Sequence, residues 1–424
     1  MSGPRPAMAL VETTRGSALS STSFQAMRAA RAAGLEVQFV TRAVDEYEGI
    51  DGFADLLAGS VDTVVECDTG DGEAIARALA GRCDGRLRGI TTMAEHFVVP
   101  TARAARMLGL PGLDPEAAEV SRNKLSTRRR CVEAGVPAPR FAAVATLDEA
   151  LAAAASIGFP CVVKPLDEAG GIDVLLCWDE SAVTAQFARI AGKPTNYRGQ
   201  ARGSRMLIEE YLVGHEISVE TLTCRGSTRV LGVTDKLVLS GSSCFIETGH
   251  TFPSCLPAGH VESCVRMATA ALGAVGFDHG AAHTELKVTA GGPRVIEINA
   301  RPAGDHITDL VAHATGVDYL GLAVELCVGA APDAPIRWER GAAVRFLTAP
   351  AGVVREVRGV ELARGVEGVV ECSIGVAAGR RLAEPRSNLD RLGHVVAVAE
   401  TPYLAGCLAE TALGQVLVQV DPCP

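Results

Sequence analysis

Short apolar runs alternate with segments of helical spacing along the first hundred residues. Helical spacing is found around Phe24 and Met27 and through GEAIARALAG (72–81). The apolar runs on either side of these segments are AMALVE (7–12), LEVQFVT (35–41), VDTVVE (61–66) and RGITTM (88–93). Because parallel strands need crossover connections that are usually helical, this alternation predicts βαβ units and a parallel sheet. We expect an N-terminal α/β domain over residues 1–113.

The pattern changes to helices and a hairpin after residue 113. The stretch from Asp114 to Gly135 is polar and helical and ends at Gly135-Val136-Pro137, and an Ala-rich helix is predicted over 147–157. The runs FPCVVKP (159–165) and VLLCW (174–178) read as two strands joined by the glycine loop DEAGGID (167–173). We expect a small subdomain over 114–204, built around this hairpin.

Strands dominate the rest of the chain. A helix is predicted over 261–275, and the segments with strand alternation are RMLIEEYL (205–212), HEISVETLTC (215–224), TRVLGVTDKLV (228–238), HTELKVT (283–289) and PRVIEIN (293–299). We expect a second subdomain over 205–331. Residues 332–424 are rich in Val and Gly and are expected to form a β-rich C-terminal subdomain, to which we assign no chemistry. The predicted fold class is a combination of α/β and α+β.

Composition and charge narrow the class of protein. The chain of 424 residues is 48% hydrophobic and carries 40 Lys+Arg against 50 Asp+Glu, a net charge of −10. An acidic globular chain does not favour nucleic acid as a partner, so any phosphate must be bound by a few local lysines. No G-x-G-x-x-G follows the first strand, which gives no support to a nicotinamide or flavin dinucleotide.

Cysteine usage and the chain start indicate the compartment. The 13 cysteines are an odd number and include no C-x-x-C pair, as in proteins kept reduced. The start lacks the apolar core of a signal peptide, and no run of about 18 apolar residues occurs. We expect a cytoplasmic protein that does not bind a membrane.

Residues 283–305, HTELKVTAGGPRVIEINARPAGD, carry the most informative chemistry. A three-residue loop at 290–292 would place Glu285 directly opposite Glu297, with Asn299 on the same face of the hairpin. Like charges that face each other are destabilising unless they lie in water or hold a cation between them. Two carboxylates and an amide suit Mg²⁺ that is shared with phosphates. The alternative is a solvated hairpin face with incidental acids.

Basic and glycine residues upstream are weak signals one by one. Arg301 shares the strand parity of Asn299 and would add a guanidinium beside the cation. Lys164 ends an apolar strand just before Gly170-Gly171, where a backbone without Cβ atoms can approach phosphates closely. A lysine in this position is commonly only solvated. The order along the chain is the stronger signal: Lys124, Lys164, the glycine loop, Glu209-Glu210, Lys236, Glu285 and E-I-N-x-R.

This order of motifs resembles that of the ATP-grasp superfamily of carboxylate–amine ligases. The resemblance covers about residues 1–330, and E-I-N-A-R-P (297–302) is its most specific motif. It implies an ATP-grasp fold in which the N-terminal α/β domain precedes two subdomains that bind Mg-ATP between them, with Mn²⁺ as the alternative ion. It also implies activation of a carboxylate as an acyl phosphate.

The resemblance implies roles for individual residues. In the nucleotide site, Lys124 and Lys164 would contact ATP, Gly170 and Gly171 would cover the triphosphate, Glu209, Glu210, Tyr211 and Leu212 would form the adenine-facing hinge, and Glu216 would reach the ribose. The implied magnesium ligands are Glu285, Glu297 and Asn299, and the implied catalytic residues are Arg301 and Lys236. The loop DEAGGID departs from the family pattern, because acids flank its glycines where several members have Ser or Gly.

The stretch FIETGHTFPS (245–254) is similar to the E-x-x-H-x-x-P-S segment of the L-amino-acid ligases, the bacilysin-synthetase type of dipeptide ligase. Glu247 and His250 would then border the substrate pocket, and Arg301 would hold the reacting carboxylate. The implied function is a biosynthetic, ATP-dependent joining of two amino acids with release of ADP and phosphate. A homodimer is implied by the resemblance alone.

Two alternatives remain open at this point. One is a γ-glutamyl or other carboxylate–amine ligase of the same fold with a specialised acceptor. The other is a non-catalytic ATP-binding regulatory protein, against which the complete set of Glu285, Glu297, Asn299 and Arg301 argues.

Several histidines raise the question of a zinc site. His279 and His283 are four residues apart, with His250, His306 and His313 nearby in sequence. The pair spans a predicted turn at Gly280 rather than a helix, and no thiolate or third ligand stands at zinc-like spacing. We therefore expect no zinc site and interpret His250 as a donor or base in the pocket.

Overall fold

The computed structural model describes residues 5–13, 21–50, 52–82, 85–239, 241–331, 333 and 335–422. The first part alternates strands and helices: β1 (Ala7–Val11), α1 (Thr22–Ala32), β2 (Glu36–Thr41), α2 (Phe53–Ser60), β3 (Thr63–Glu66), α3 (Gly72–Leu79), β4 (Leu87–Thr91) and α4 (Val98–Met107). The strands are parallel in the order β3-β2-β1-β4, and apolar β1 is buried throughout. The predicted parallel sheet is confirmed. The domain limits drawn at residues 1, 332 and 424 lie outside the described residues.

The next part is a small antiparallel sheet with helices. Its elements are α5 (Pro115–Arg122), α6 (Lys124–Glu133), β5 (Phe141–Val144), α7 (Leu147–Ile157), β6 (Cys161–Pro165), β7 (Leu175–Cys177), α8 (Glu180–Ala191) and β8 (Met206–Glu210). The strand order is β5-β8-β6-β7, and β6 with β7 is the predicted hairpin. The polar helical segment after Asp114 is two helices, because Asn123 is extended and its side-chain oxygen accepts the backbone N–H of Ser126.

The rest of the chain is built on a larger sheet. Its elements are β9 (His215–Cys224), β10 (Ser227–Val238), β11 (Glu247–Phe252), α9 (Ala258–Ala274), β12 (Gly280–Thr289), β13 (Gly292–Asn299), α10 (Ile307–Thr315), α11 (Tyr319–Cys327), β14 (Gly341–Leu347), β15 (Gly352–Arg358), α12 (Val360–Arg364), β16 (Val369–Ile374), β17 (Arg381–Leu382), β18 (Gly393–Ala399), α13 (Pro402–Leu413) and β19 (Leu417–Asp421). Short 3₁₀ helices lie at Val44–Tyr47, Glu95–Phe97 and Asn388–Asp390.

The central sheet contains eight antiparallel strands in the order β13-β12-β9-β10-β11-β14-β18-β16. A separate three-stranded sheet has the order β17-β15-β19. Strands β14, β16 and β18 come from the segment expected to form a separate C-terminal subdomain. They instead extend the sheet that carries β12 and β13, so that the C-terminal segment shares a surface with the predicted metal ligands.

The hairpin of β12 and β13 has a shorter turn than expected. The turn contains two residues, Ala290 and Gly291, rather than three. A β-bulge next to Glu285 shifts the register by one residue, and Glu285 therefore still pairs with Glu297. The predicted pair of facing carboxylates is present, although a bulge produces it instead of a longer turn.

Helices α10 and α11 follow the hairpin, and α11 packs against the N-terminal domain. Val324 and Cys327 of α11 pack in one core with Met8 and Phe24. Gly89 of β4 lies so close to α11 that an added Cβ would be 2.3 Å from the carbonyl oxygen of Cys327. Together, α10 and α11 have the length and composition of a membrane span but are bent by 108°, and no single helix in the described ranges is long and apolar enough to cross a membrane.

We predict that Gly89→Ala lowers the free energy of unfolding by about 1–3 kcal/mol, because the added methyl group overpacks the contact with α11. Urea unfolding followed by circular dichroism measures this change. The control is Gly59→Ala, at an exposed position of helix α2, where an added Cβ meets nothing within 4 Å and alanine is favoured by about 0.5–1 kcal/mol. Equal stabilities of the two variants would show that the contact is not tight.

Candidate active site

One face of the central sheet collects charged side chains from β9 to β13. Alternation along each strand puts every second residue on this face, and strand pairing aligns these residues across the sheet. The aligned pairs are Glu216 with Lys236, Glu216 with Lys287, Lys236 with His250, and Glu285 with Glu297. Residues that are distant in sequence thus form one charged surface.

Lys236 lies at the centre of this surface. Its buried Nζ is 2.6 Å from Glu285 Oε1, 3.0 Å from Glu247 Oε1 and 3.9 Å from Glu216 Oε1. Burial alone would lower the pKa of Lys236, but the charges of these three carboxylates outweigh it and raise the pKa well above its usual value. The ammonium ion is therefore retained at neutral pH.

His283, on β12, supplies a second buried cation. Its Nδ1 is 3.0 Å from Glu220 and its Nε2 is 3.1 Å from Glu285 Oε1. Burial would lower the pKa of His283, but the adjacent Glu220 carboxylate and the hydrogen bonds to both glutamates raise the pKa to about 9. The imidazolium can therefore donate from both ring nitrogens. Sequence reasoning weighed this histidine only as a zinc ligand.

The two facing carboxylates each have a lysine partner. Lys124 Nζ is 2.7 Å from Glu297 Oε1 and also donates to the carbonyl oxygen of Glu168 at 2.8 Å. Glu285 lies against Lys236, and although burial raises the pKa of Glu285, the charge of Lys236 and the hydrogen bond from His283 lower it well below its usual value. Glu285 therefore remains ionised. With buried Asn299, the two carboxylates form a set of oxygen donors that fits a hard divalent cation.

Lys164 belongs to a neighbouring buried ion cluster. Its Nζ is 2.5 Å from Glu209 Oε2, and Arg128 Nε donates to Glu209 Oε1 at 2.7 Å. Burial lowers the pKa of Lys164 even though Glu209 opposes this effect. Sequence reasoning missed Arg128, which is fully buried, because a helical arginine in a polar segment reads as solvated.

The glutamates of the predicted adenine hinge are engaged with protein groups. Glu209 binds Arg128 and Lys164, and Glu210 is 3.3 Å from Arg140 Nε. Their carboxylates are therefore paired within the protein, and the role of Glu209, Glu210, Tyr211 and Leu212 as the adenine-facing hinge stays a prediction.

Glu216, the predicted ribose contact, pairs with Lys287, with Oε2 2.9 Å from Nζ. It also lies beside Lys236 on the charged surface. The ribose role of Glu216 stays a prediction.

The glycine loop has the backbone that its sequence requires. Gly170 and Gly171 have φ values of +65° and +73°, and an added Cβ at Gly171 would lie 2.9 Å from the carbonyl oxygen of Phe245. The acids that flank these glycines bind a basic segment nearby. Asp173 is 2.6 Å from Lys193 and 3.1 Å from Arg202. These ion pairs give Asp173 a structural role in a loop where several members of the family have Ser or Gly instead of acidic residues.

A second group of polar side chains adjoins Lys236, and we refer to it as the second pocket: one ligand atom each of Glu247, His250 and Asp305 lies within 4.8 Å of the others. His250 is fully buried, and its Nε2 is 3.2 Å from Glu247 Oε2, yet neither ring nitrogen has a hydrogen-bond partner among the described residues. Asp305, with a positive φ of 53°, pairs with Arg391 at 2.5 Å. The Arg391 guanidinium lies 3.8 Å from the centroid of the Phe346 ring.

The C-terminal segment, to which the sequence assigned no chemistry, contributes to this pocket. Phe346 lies on β14, and Arg391 precedes β18. The physical reason is the sheet order, in which β14 and β18 follow β11 directly. No local sequence pattern reveals such pairing between distant strands.

Arg301 binds a residue of the N-terminal domain. Its Nε is 2.8 Å from Glu95 Oε2, and Nη1 donates to the carbonyl oxygen of Pro302 at 3.0 Å. Glu95 is buried in the 3₁₀ helix Glu95–Phe97, and sequence reasoning missed it. Arg301 thus lies where two domains meet. Its contact with a substrate carboxylate remains a prediction.

Three family models match the chain in sequence. They are the ATP-grasp N-terminal domain over residues 27–112, the ATP-grasp domain over 157–309 and the L-amino acid ligase C-terminal domain 2 over 345–421. Among solved structures, an L-amino acid ligase from Bacillus licheniformis has a TM-score of 0.80 at 22% identity and covers 99% of this chain and 100% of its own. The N5-carboxyaminoimidazole ribonucleotide synthetase of Thermotoga maritima has a TM-score of 0.70 at 16% identity, covering 98% and 100%. At these identities the structures establish the fold.

Similar sequences include proteins of known and unknown activity. Uncharacterized protein y4rH of Sinorhizobium fredii is 29% identical over 79% of this chain and 69% of its own length. The alanine–anticapsin ligase of Bacillus subtilis is 31% identical over 58% of this chain and 55% of its own length. Carnosine synthase 1 of Gallus gallus is 32% identical over 57% and 27%. The matches thus span about half of the first of these ligases and about a quarter of the second.

The fold, the charged surface and the matching domains together define the class of protein. The chain has the ATP-grasp fold, with segments that match an ATP-grasp N-terminal domain and an ATP-grasp domain. Its residues 345–421 match the L-amino acid ligase C-terminal domain 2, and the named relatives include ATP-dependent carboxylate–amine ligases. The members of this superfamily generally use ATP and Mg²⁺.

We predict that His283 titrates near pH 9 in the folded protein, against 6.5 for an ordinary histidine. Because folding raises this pKa, the stabilisation is complete below pH 6.5 and is lost as the pH rises through 9, a change of about 3 kcal/mol. NMR titration of the histidine side chains measures the pKa, and urea unfolding measures the stability.

The comparison is between wild type and His283→Gln, with His260→Gln on the exposed surface of α9 as the control. The stability difference between wild type and His283→Gln shrinks from pH 6.5 to pH 9, whereas the control shows no such trend. A His283 pKa below 7 contradicts the buried imidazolium.

Proposed function

We propose that this protein joins the carboxylate of one amino acid to the amine of a second, using ATP and releasing ADP and phosphate. One observation carries the proposal. Lys236 Nζ contacts Glu285, a predicted magnesium ligand, and Glu247, in the second pocket, at 2.6 and 3.0 Å. The nucleotide side and the substrate side of the site therefore meet at one ammonium group, as a reaction between ATP and a bound carboxylate requires.

The nucleotide side of the site would hold ATP and its metal ion. Glu285, Glu297 and Asn299 fit Mg²⁺, or Mn²⁺ in its place, because their oxygen donors are the type that such ions prefer. When bound, the ion supplies positive charge that neutralises the phosphates. Lys124 and Lys164 add positive charge at the same place, and the glycine loop between β6 and β7 would cover the triphosphate and exclude water.

The substrate side has the complement of charges that an amino acid needs. Asp305 and Arg391 pair with each other at 2.5 Å. A bound amino acid would replace this pair, with Asp305 binding its ammonium group and Arg391 its carboxylate. His250 is a buried imidazole with both ring nitrogens free of hydrogen bonds among the described residues. It is suited to accept a proton from an attacking amine, and Glu247, 3.2 Å away, would stabilise the resulting imidazolium.

The proposed reaction has two steps. An oxygen of the first substrate's carboxylate attacks the γ-phosphorus of ATP, the bond to the bridging oxygen breaks, and ADP leaves with an acyl phosphate formed. The amine nitrogen of the second substrate then attacks the acyl carbon, phosphate leaves, and the nitrogen gives up a proton to His250. Arg301 would hold the carboxylate and then the tetrahedral oxyanion, and Glu95 would fix the position of Arg301.

We predict that ADP release requires two amino acids and yields a product lighter than their sum by one water. The measurement supplies ATP and Mg²⁺ with each of the twenty amino acids, singly and in pairs, and analyses active mixtures by mass spectrometry. A second series supplies each amino acid with an amine that is not an amino acid, and release in that series alone would indicate a ligase with a specialised acceptor. Tight ATP binding without release in any mixture would contradict the proposal and favour a regulatory protein.

We predict that Glu297→Gln lowers the rate of ADP release about 100-fold or more, because one of the two carboxylates facing the metal loses its charge. The same substitution at Glu262, an exposed residue of α9, is the matched control and leaves the rate unchanged. Circular dichroism and Tm of both variants verify folding. Full turnover of Glu297→Gln would contradict the metal assignment.

A further inference from the structure

A cluster of metal-binding side chain types lies beyond the second pocket. His306, Glu371 and His394 each place one ligand atom within 4.8 Å of the others. His306 precedes α10, Glu371 lies on β16, and His394 lies on β18. His306 thus lies more than sixty positions before Glu371 in the sequence. The spacing of the histidines along the chain therefore does not reveal the cluster.

The geometry within the cluster is tight. His394 Nε2 is 2.9 Å from Glu371 Oε1, and His306 Nδ1 is 3.9 Å from Glu371 Oε2. The two imidazole rings have centroids 4.1 Å apart. Both rings are nearly buried, with 10% and 13% of their side-chain surface exposed, whereas the Glu371 side chain is 41% exposed. The cluster is therefore closed on the protein side and open to solvent at Glu371.

The backbone is shaped to bring these groups together. A β-bulge after Val369 shifts the pairing of β16 with β18, so that Glu371 pairs with Val396 and lies diagonally from His394. On the other side, Asp305 and His306 both have positive φ, of 53° and 64°. Two consecutive non-glycine residues in this conformation are strained, and such strain is characteristic of functional sites.

Asp309 binds the Nδ1 nitrogen of His306. His306 Nδ1 and Asp309 Oδ2 are 3.0 Å apart, and the same carboxylate accepts a hydrogen bond from Gln25 Nε2 through Oδ1 at 3.1 Å. Because Nδ1 is bonded to Asp309, the nitrogen that His306 can offer to a metal is Nε2, and a carboxylate on the other ring nitrogen fixes the ring orientation and raises the basicity of the ligand. The contact also links the cluster to helix α1 of the N-terminal domain.

We propose that His306, Glu371 and His394 bind a divalent transition-metal ion, with Zn²⁺ the best match. Two imidazoles and one carboxylate are a three-ligand zinc set, with water from the exposed edge as the fourth ligand. Nitrogen donors distinguish this site from the oxygen donors Glu285, Glu297 and Asn299, which suit Mg²⁺.

The charges around the two candidate clusters favour this one. Glu247, His250 and Asp305 are also grouped closely enough for a metal, but Glu247 faces Lys236 and Asp305 faces Arg391, so an ion there would meet two cations. Within the described ranges, the Glu371 carboxylate forms ion pairs only with His306 and His394. Those histidines can bind a metal in their neutral form.

The test uses the full-length protein, freed of metals with EDTA and dialysed into buffer with excess Mg²⁺ so that the oxygen-donor site does not compete. Zn²⁺ is added by calorimetric titration, and Co²⁺ is added as a spectroscopic probe of coordination. We expect one equivalent of Zn²⁺ per chain, visible bands of four-coordinate Co²⁺ and a rise in Tm with Zn²⁺. Absence of stoichiometric uptake overturns the proposal.

Variants locate the ion. His394→Ala and Glu371→Gln are expected to weaken Zn²⁺ binding at least tenfold and to abolish the rise in Tm, and Glu371→Gln keeps the test valid if His394→Ala does not fold, since this side chain is partly exposed. His260→Ala, on the exposed surface of α9, is the matched control and binds as wild type does. Unchanged affinity in both cluster variants, or loss of binding in Glu297→Gln alone, overturns the assignment.

Discussion

The ammonium group of Lys236 stabilises the charged surface of this protein by neutralising neighbouring carboxylates. It lies within 3.9 Å of three carboxylates, on Glu216, Glu247 and Glu285, which come from three different strands. Without this cation the carboxylates would repel one another. Two further cations share the neutralisation, because Lys287 pairs with Glu216 and His283 contacts Glu285. The charged surface is therefore stabilised by cations from two strands, β10 and β12.

The central sheet would allow one surface to serve the two substrates of the proposed reaction. Its eight strands run without interruption from the hairpin β12–β13 to β16, so the proposed nucleotide side and the proposed substrate side are different regions of one sheet. Backbone hydrogen bonds fix the distances between Glu285 and Glu247 across it. The smaller sheet that carries Lys164 and the glycine loop is separate, and in the proposed reaction its movement would open and close the nucleotide side.

Much of the local structure could be predicted from the sequence, because it depends on local patterns. The parallel N-terminal sheet followed from alternating elements, and the glycine loop between β6 and β7 followed from Gly170-Gly171. The facing pair Glu285 and Glu297 was predicted correctly, although the turn has two residues and a bulge restores the register. Alternation of side chains along a strand is a strong constraint, and it therefore identified the right face.

The contacts between distant segments could not be predicted in the same way. Arg391 and Phe346 lie beside the second pocket only because β14 and β18 join the central sheet, and strand order is not encoded in any short motif. Glu209 lies in the segment predicted to face adenine, and its carboxylate forms ion pairs with Arg128 and Lys164 that the sequence does not reveal. A sequence pattern shows which face of a strand a residue is on, but it does not show which residue from another element comes to lie against it.

The ion pair of Arg301 with Glu95 connects the N-terminal domain directly to the candidate site. The two groups are 2.8 Å apart and belong to segments separated by about two hundred residues, and α11 attaches the same domain through the contact at Gly89. The N-terminal domain and the end of the E-I-N-A-R-P motif are therefore connected both directly, through this ion pair, and through α11. A change in the orientation of that domain would change the direction in which the Arg301 guanidinium points, and with it the strength of whatever the guanidinium binds.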